Sequence, residues 1–305
     1  MEQIRRRNLE VAQFKQLCAL KKYIHRHSPP TIDDSELEAL GVLKRTDLDV
    51  DNSSPCDFEP RFFSPWYDGD SDLKEEGDGA RVYWSETLDR DKDHPEWIPN
   101  AGYKYPEMRA RWFNRVCFRL ARDHEDDKTH PICTYTAFAQ EDLDFSVPYR
   151  HDYRSHYVTE AVMLPTAADT PHTGITMFDP VVAPEGTMLR SELDAAVTLL
   201  REQVRSGRFT DHHTKPVLVL SYQWETHGRI TQAHIDAKLN KLVIRQSRLL
   251  NFKAKEPTPD AYIFLRWLIN RPVGATKYVS VQDDDPPQGR DRLEAGPPLV
   301  EVESR

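Results

Sequence analysis

His234 and Asp236 stand two residues apart in RITQAHIDAKLNKLVIRQS. Side chains alternate along a β-strand, so an imidazole and a carboxylate at this spacing share one face. Such a pair can bind a metal ion or exchange a proton with a substrate, because both groups are ordinary ligands of zinc, manganese and iron. Two other clusters carry the same donors: His151, Asp152 and His156 in VPYRHDYRSHY, and the consecutive Asp211, His212 and His213. A hydrolytic metal site would draw on His151, His156, Asp211 and His213 as ligands, with His234 and Asp236 as the catalytic pair. The other reading is that these are polar residues of turns and strand ends. None has the spacing of a recognised metal motif, and a shared site requires the fold to make the clusters converge. No metal or other cofactor is expected on that second reading.

The common catalytic signatures are absent. The chain has no G-x-x-x-x-G-K-S/T, no G-x-G-x-x-G, no G-x-S-x-G and no H-E-x-x-H, each of which encodes a specific backbone or ligand geometry. Cys18, Cys56, Cys117 and Cys133 form no C-x-x-C pair, which reads as free thiols in a reducing compartment. Asp68, Asp70 and Asp72 match the first three ligand positions of a calcium loop. Leu73 and Gly79 then stand where the turn glycine and the bidentate glutamate belong, so a solvated acidic loop is expected there.

Binding is the second kind of chemistry to weigh. In YPEMRARWFNRVCFRLAR (105–122), Arg111, Arg115, Arg119 and Arg122 line one helical face. The guanidinium fork suits phosphate, but the row equally neutralises acid within the chain. Residues 28–98 hold twenty acids and seven Lys/Arg, whereas residues 1–27 hold seven Lys/Arg and two acids. The internal reading is preferred because the opposite charge is supplied in cis. With a net charge of −9, nucleic acid is not the expected partner. Phe62, Phe63 and Trp66 in FEPRFFSPW read either as a docking motif for a protein partner or as an extended segment laid onto the main domain.

These residues must be positioned by elements that the hydrophobic pattern marks. Residues 3–26 read as a basic amphipathic helix closed by Ser28-Pro29-Pro30. It could bind a partner or an anionic surface, or dock on its own protein. The helix over 105–122 carries Met108, Trp112, Val116 and Leu120 on its apolar face. Short strands are expected near 132–138, 157–164 and 174–178. A helix over 191–206 is expected to start from Ser191 as cap and end at Gly207. KPVLVLSYQ (215–223), RITQAHID (229–236) and KLVIRQS (241–247) predict a three-stranded antiparallel meander, the first strand buried on both faces. Thr258-Pro259 predicts the start of a helix over 258–270, with a further strand at 277–281.

Helix 191–206, three strands, helix 258–270 and strand 277–281 follow the order αβββαβ. That order resembles the core of restriction-endonuclease-like nucleases. The resemblance implies an Asp near the second strand and a Glu-x-Lys on the third, which hold a metal and its water. Asp236 takes the first place, but Lys241-Leu-Val-Ile-Arg245 has no Glu-x-Lys or Asp-x-Lys, so a degenerate, inactive relative is implied. A second resemblance lies in the residues themselves. PVLVLSYQ, RITQAHIDAKLNKLVIRQSRLLNF, Trp267 and Gly274-Ala-Thr-Lys277 lie in the C-terminal third of the chain and resemble uncharacterised proteins of filamentous fungi. That family has no assigned activity. It implies an intracellular fungal protein of a kind that sometimes accompanies specialised-metabolite genes.

The expected fold is α+β, with an antiparallel sheet near 216–247 covered by helices. The expected organisation is a basic helix (1–27), an acidic irregular segment (28–98), a main domain (99–281) and a disordered tail (282–305). No run of 18 apolar residues exists, so no membrane span is expected, and the N-terminus lacks the apolar stretch of a secretion signal. A cytoplasmic or nuclear interaction or accessory protein is the expected function, with a metal-dependent hydrolase or degenerate nuclease as the alternative.

Overall fold

The computed structural model describes residues 2–45, 48–51, 61–66, 70–80, 84, seven helical residues between 112 and 120, 135–138, 157–165, 167, 169–224 and 226–278. Among them the helices are α1 (Glu2–Arg26), α2 (Asp34–Ala39), α3 (Asp70–Gly79), α4 (Arg190–Ser206) and α5 (Pro259–Leu268). The strands of the main sheet are β2 (Leu43–Arg45), β4 (Tyr135–Phe138), β5 (Val158–Pro165), β6 (Thr173–Asp179), β8 (Val217–Gln223), β9 (His227–Asp236), β10 (Lys241–Gln246) and β11 (Leu250–Asn251). Two short pairs lie outside it: β1 (Thr31–Ile32) with β7 (Met188–Leu189), and β3 (Phe63–Ser64) with β12 (Arg271–Pro272).

The α+β expectation holds. The strand order is β2-β10-β9-β8-β6-β5-β4, with β11 added beside β9. The meander β8-β9-β10 is antiparallel as its sequence predicts. The wider sheet also contains two parallel pairs, β6 with β8 and β10 with β2. The first needs a crossover, and α4 supplies it. Strand β8 alternates between two cores: Val217 and Val219 face one, Leu218 and Leu220 the other. A strand buried on both faces reads as an unbroken apolar run.

On one face lie α1 and α4. Leu17, Leu20 and Ile24 of α1 pack with Leu193, Val197 and Leu200 of α4 over Val219, Ala233 and Ile244. On the other face lie α3, α5 and the helical residues 112–120. There Trp112 and Phe113 meet edge to face at 4.8 Å, and Tyr222, Phe252 and Phe264 surround Phe113 in tilted or edge-to-face contacts.

Two local expectations are corrected. Helix α4 begins one residue earlier, with Leu189 at the cap position; the Glu192 carboxylate accepts the Leu189 N–H at 3.1 Å, and Ser191 bonds Asp179 instead. Asp70–Gly79 is a helix rather than a solvated loop. Leu73, Gly77 and Ala80 recur at helical spacing and are buried, and the Gly77 carbonyl accepts the Trp112 indole N–H at 3.1 Å. Tertiary packing, not propensity, sustains such a short helix. Of the strand expected at 277–281, Lys277 makes an isolated bridge to His212, and residues 279–281 lie outside the described residues. Among the described residues the order αβββαβ is also followed by the helical residues between 112 and 120, then β4, β5, β6, α4 and β8, with β4-β5-β6-β8 adjacent in that order.

Candidate functional site

His234 and Asp236 share a strand face, as their spacing predicts, but they have separate surroundings. Asp236 accepts the backbone N–H groups of Lys238 and Leu239 at 2.8 and 2.9 Å and so fixes the turn to β10. Partial burial pushes its carboxyl up, but these two donors outweigh that and hold it below the usual carboxylate range. His234 is buried, with its ring 4.9 Å from that of Phe62. His172 lies on the other side, 6.4 Å from Phe62 and 5.3 Å from Phe63. Burial pulls the His172 imidazole down to about 4. It is therefore neutral near pH 7, and its Nε2 donates to the Val273 carbonyl at 2.9 Å.

Asp211 and His213 occupy the turn after α4, at the junction with residues 276–278. The Asp211 carbonyl accepts the Tyr278 N–H at 3.0 Å, and the His213 N–H bonds the Thr276 carbonyl at 2.8 Å. His212 sits between Asp169 at 3.1 Å and the Thr276 hydroxyl at 2.8 Å. His151, His156 and Arg111 fall outside the described residues. Among the described residues no group of three or more His, Cys, Asp or Glu is placed to hold a metal ion.

Arg115 is exposed, whereas Arg119 pairs with Glu76 of the acidic segment at 3.5 Å. Phe62, Phe63 and Trp66 are buried at 2%, 0% and 4% exposure, where β3 pairs with β12. They lie in the aromatic core as an extended segment on the main domain. Burial also pushes the Cys117 thiol up, which disfavours its nucleophilic thiolate.

The densest polar cluster lies around Glu192. Its carboxylate accepts from Ser221 Oγ at 2.6 Å, Gln223 Nε2 at 3.0 Å, Gln246 Nε2 at 3.0 Å, Arg229 Nη1 at 3.3 Å and the Leu189 N–H. A carboxylate offers about four lone-pair positions, so these donors already saturate it. It ties α4 to β8, β9 and β10. Nearby, burial pushes the Asp179 carboxyl up to about 7, against the opposing bond from Ser191. Both carboxylates are almost fully buried, so the cluster reads as the polar seam of the fold. The sequence does carry a signal for it: Ser221, Gln223, Thr231 and Gln246 interrupt otherwise apolar strands.

Among the described residues an accessible candidate is a groove of about 740 Å³ between the first half of α1 and the end of α4 with its following turn. Arg6, Arg7, Lys15 and Arg205 bring four cations to it, and Glu10 and Asp211 two carboxylates. Glu10 is neutralised by Lys215 at 2.8 Å. Val11, Phe14 and Val204 form the apolar part of the lining. Ile4 and Val11 are 67% and 47% exposed; the other exposed large apolar residue among those described is Leu239. Two of the three therefore stand on the first half of one helix, seven residues apart and so on one face. The groove can take an extended or helical segment that combines acid with apolar side chains.

No protein-family model matches the chain, and no curated protein and no solved structure matches it either. No helix among the described residues is long and apolar enough to cross a membrane.

Proposed function

We propose that this chain acts by binding, as an interaction or accessory protein, and that the groove between α1 and α4 is its docking surface for a protein partner. The observation that carries the reading is the exposure of Ile4 and Val11 beside Arg6, Arg7 and Lys15 on one helix. Farther along, the same helix buries Leu17, Leu20 and Ile24. The C-terminal half of α1 thus anchors it, and the N-terminal half presents a mixed cationic and apolar face. Peptide segments are commonly held by such helix-lined grooves.

A metal-dependent nuclease or hydrolase is the second reading, favoured by the helix-β4-β5-β6-α4-β8 succession. It would be a degenerate member, because β6, third of its strands, reads TGITMFD and carries no Glu-x-Lys or Asp-x-Lys. Metal analysis and plasmid cleavage with added Mg²⁺ or Mn²⁺ separate the two. The binding reading expects neither stoichiometric zinc, manganese or iron nor cleavage. Bound metal lost in His234→Ala, or cleavage lost in Asp179→Asn, would overturn it.

A further inference from the structure

The chain leaves its described part at the docking groove. Tyr278, the last described residue, lies beneath the Arg6 guanidinium, 4.1 Å from ring centre to carbon. Its N–H is held by the Asp211 carbonyl at 3.0 Å. Arg6 and Asp211 both line the groove. Five residues beyond Tyr278 begins Asp283-Asp284-Asp285, followed by Pro286-Pro287. An extended chain covers at most about 3.5 Å per residue, so the first of these acids lies within roughly 18 Å of Tyr278. From Arg6 to Lys15 along α1 is about 14 Å at 1.5 Å per residue. The acidic run therefore reaches the whole cationic wall.

From this geometry we infer that the groove is occupied, in the chain without a partner, by its own Asp283–Asp285 run. The run is an internal competitor for the acidic segment of a partner. This rests on the docking reading of the same groove. The charges are complementary: Arg6, Arg7 and Lys15 of α1 stand against two groove carboxylates, one of them already paired with Lys215, while Arg205 is paired with Glu202. Residues 279–305 hold seven Asp/Glu and three Lys/Arg. Tethering the run at Tyr278 raises its effective concentration at the groove, so even a weak contact is populated. A partner then has to displace it.

The test uses the full chain carrying a photoreactive benzoylphenylalanine at Val11, irradiated at low ionic strength and mapped by mass spectrometry. The expected result is an intramolecular crosslink to residues 279–305 that 0.5 M salt abolishes. Crosslinks to other segments alone, or none, would overturn the inference. In parallel, hydrogen exchange compares the wild type with D283N/D284N/D285N. The first half of α1 is expected to exchange faster by about tenfold in the variant, with α5 unchanged as the control; equal rates would overturn the inference. Should partner binding still depend on Arg7 and Val11 in that case, only the competitor fails. Should it not, the docking surface fails too.

Discussion

Arg6 packs its guanidinium on the ring of Tyr278, 4.1 Å from the ring centre, and so joins the second turn of the chain's first helix to its last described residue. Arg6 also lines the docking groove. Both residues are half-buried, and a cation–π contact there contributes about 1 kcal/mol, so Tyr278→Ala is expected to lower global stability by about 1–2 kcal/mol once the His213 ring contact is also lost. Its main effect should be local. Hydrogen exchange should show faster opening over residues 3–15, with α4 protected as before.

The α1–α4 junction contains a buried ion pair. Lys21 Nζ lies 2.5 Å from Asp194 and 2.7 Å from the Thr198 hydroxyl, and the Tyr157 hydroxyl donates to the other Asp194 oxygen at 2.7 Å. Removing one partner of such a pair strands the other charge, so Lys21→Met should cost about 3–5 kcal/mol in denaturant unfolding. Adding Asp194→Leu and Tyr157→Phe should recover most of that loss, because no buried charge remains. If the triple variant is less stable than the single one, the pair is not behaving as a desolvated charge couple.

Asp179 gives stability a dependence on pH with a definite sign. Burial raises its carboxyl from 3.8 to about 7, so the folded state holds a proton that the unfolded chain releases. Its contribution is fully present below about pH 4 and is lost as pH rises through about 7. His172 acts in the opposite sense. Its imidazole is lowered from 6.5 to about 4, so its contribution is present above about pH 6.5 and is lost as pH falls through about 4. Unfolding curves for Asp179→Asn and the wild type should therefore diverge, the variant gaining relative stability between pH 4 and 7. A constant difference across that window would refute this assignment.

Gly274 holds the β3–β12 pair in place. Its φ is +83°, and a Cβ there would lie 2.1 Å from the Arg61 carbonyl oxygen. Backbone against backbone leaves no side chain to yield, and the left-handed conformation adds its own strain. Gly274→Ala should destabilise the protein by about 2 kcal/mol or more and raise proteolytic sensitivity near residues 61–66. Near-native stability would show that this segment is not locked by Gly274.

The meander was legible because its residues act locally. The run VLVL (217–220) is apolar, and Asp236 precedes a four-residue turn and accepts two of its N–H groups. The Thr258 start of α5 and the glycine end of α4 were legible for the same reason. The two parallel pairs were not, since parallel neighbours are far apart in sequence and only the α4 crossover brings β6 to β8. Asp70–Gly79 reads as a loop because its acids dominate local propensity, whereas Gly77 finds its partners far along the chain at Trp112 and Tyr262. The basic character of α1 pointed to binding, but its groove required α4 and the 207–211 turn to be placed beside it. Proximity of His234 to Phe62 and His172 likewise depends on segments remote in sequence.

The central claim is that the α1–α4 groove docks a protein partner. It is tested most directly by comparing three forms of the full chain as baits in extract of the source cells: wild type, Arg7→Glu/Val11→Glu in the groove, and Lys241→Glu on the sheet away from it. The prediction is a defined partner bound in stoichiometric amount by the wild type and by Lys241→Glu, and weakened by at least about tenfold in the groove variant, the effect of roughly 1.4 kcal/mol. If all three baits bind the same proteins equally well, the groove is not the docking surface and the claim is wrong.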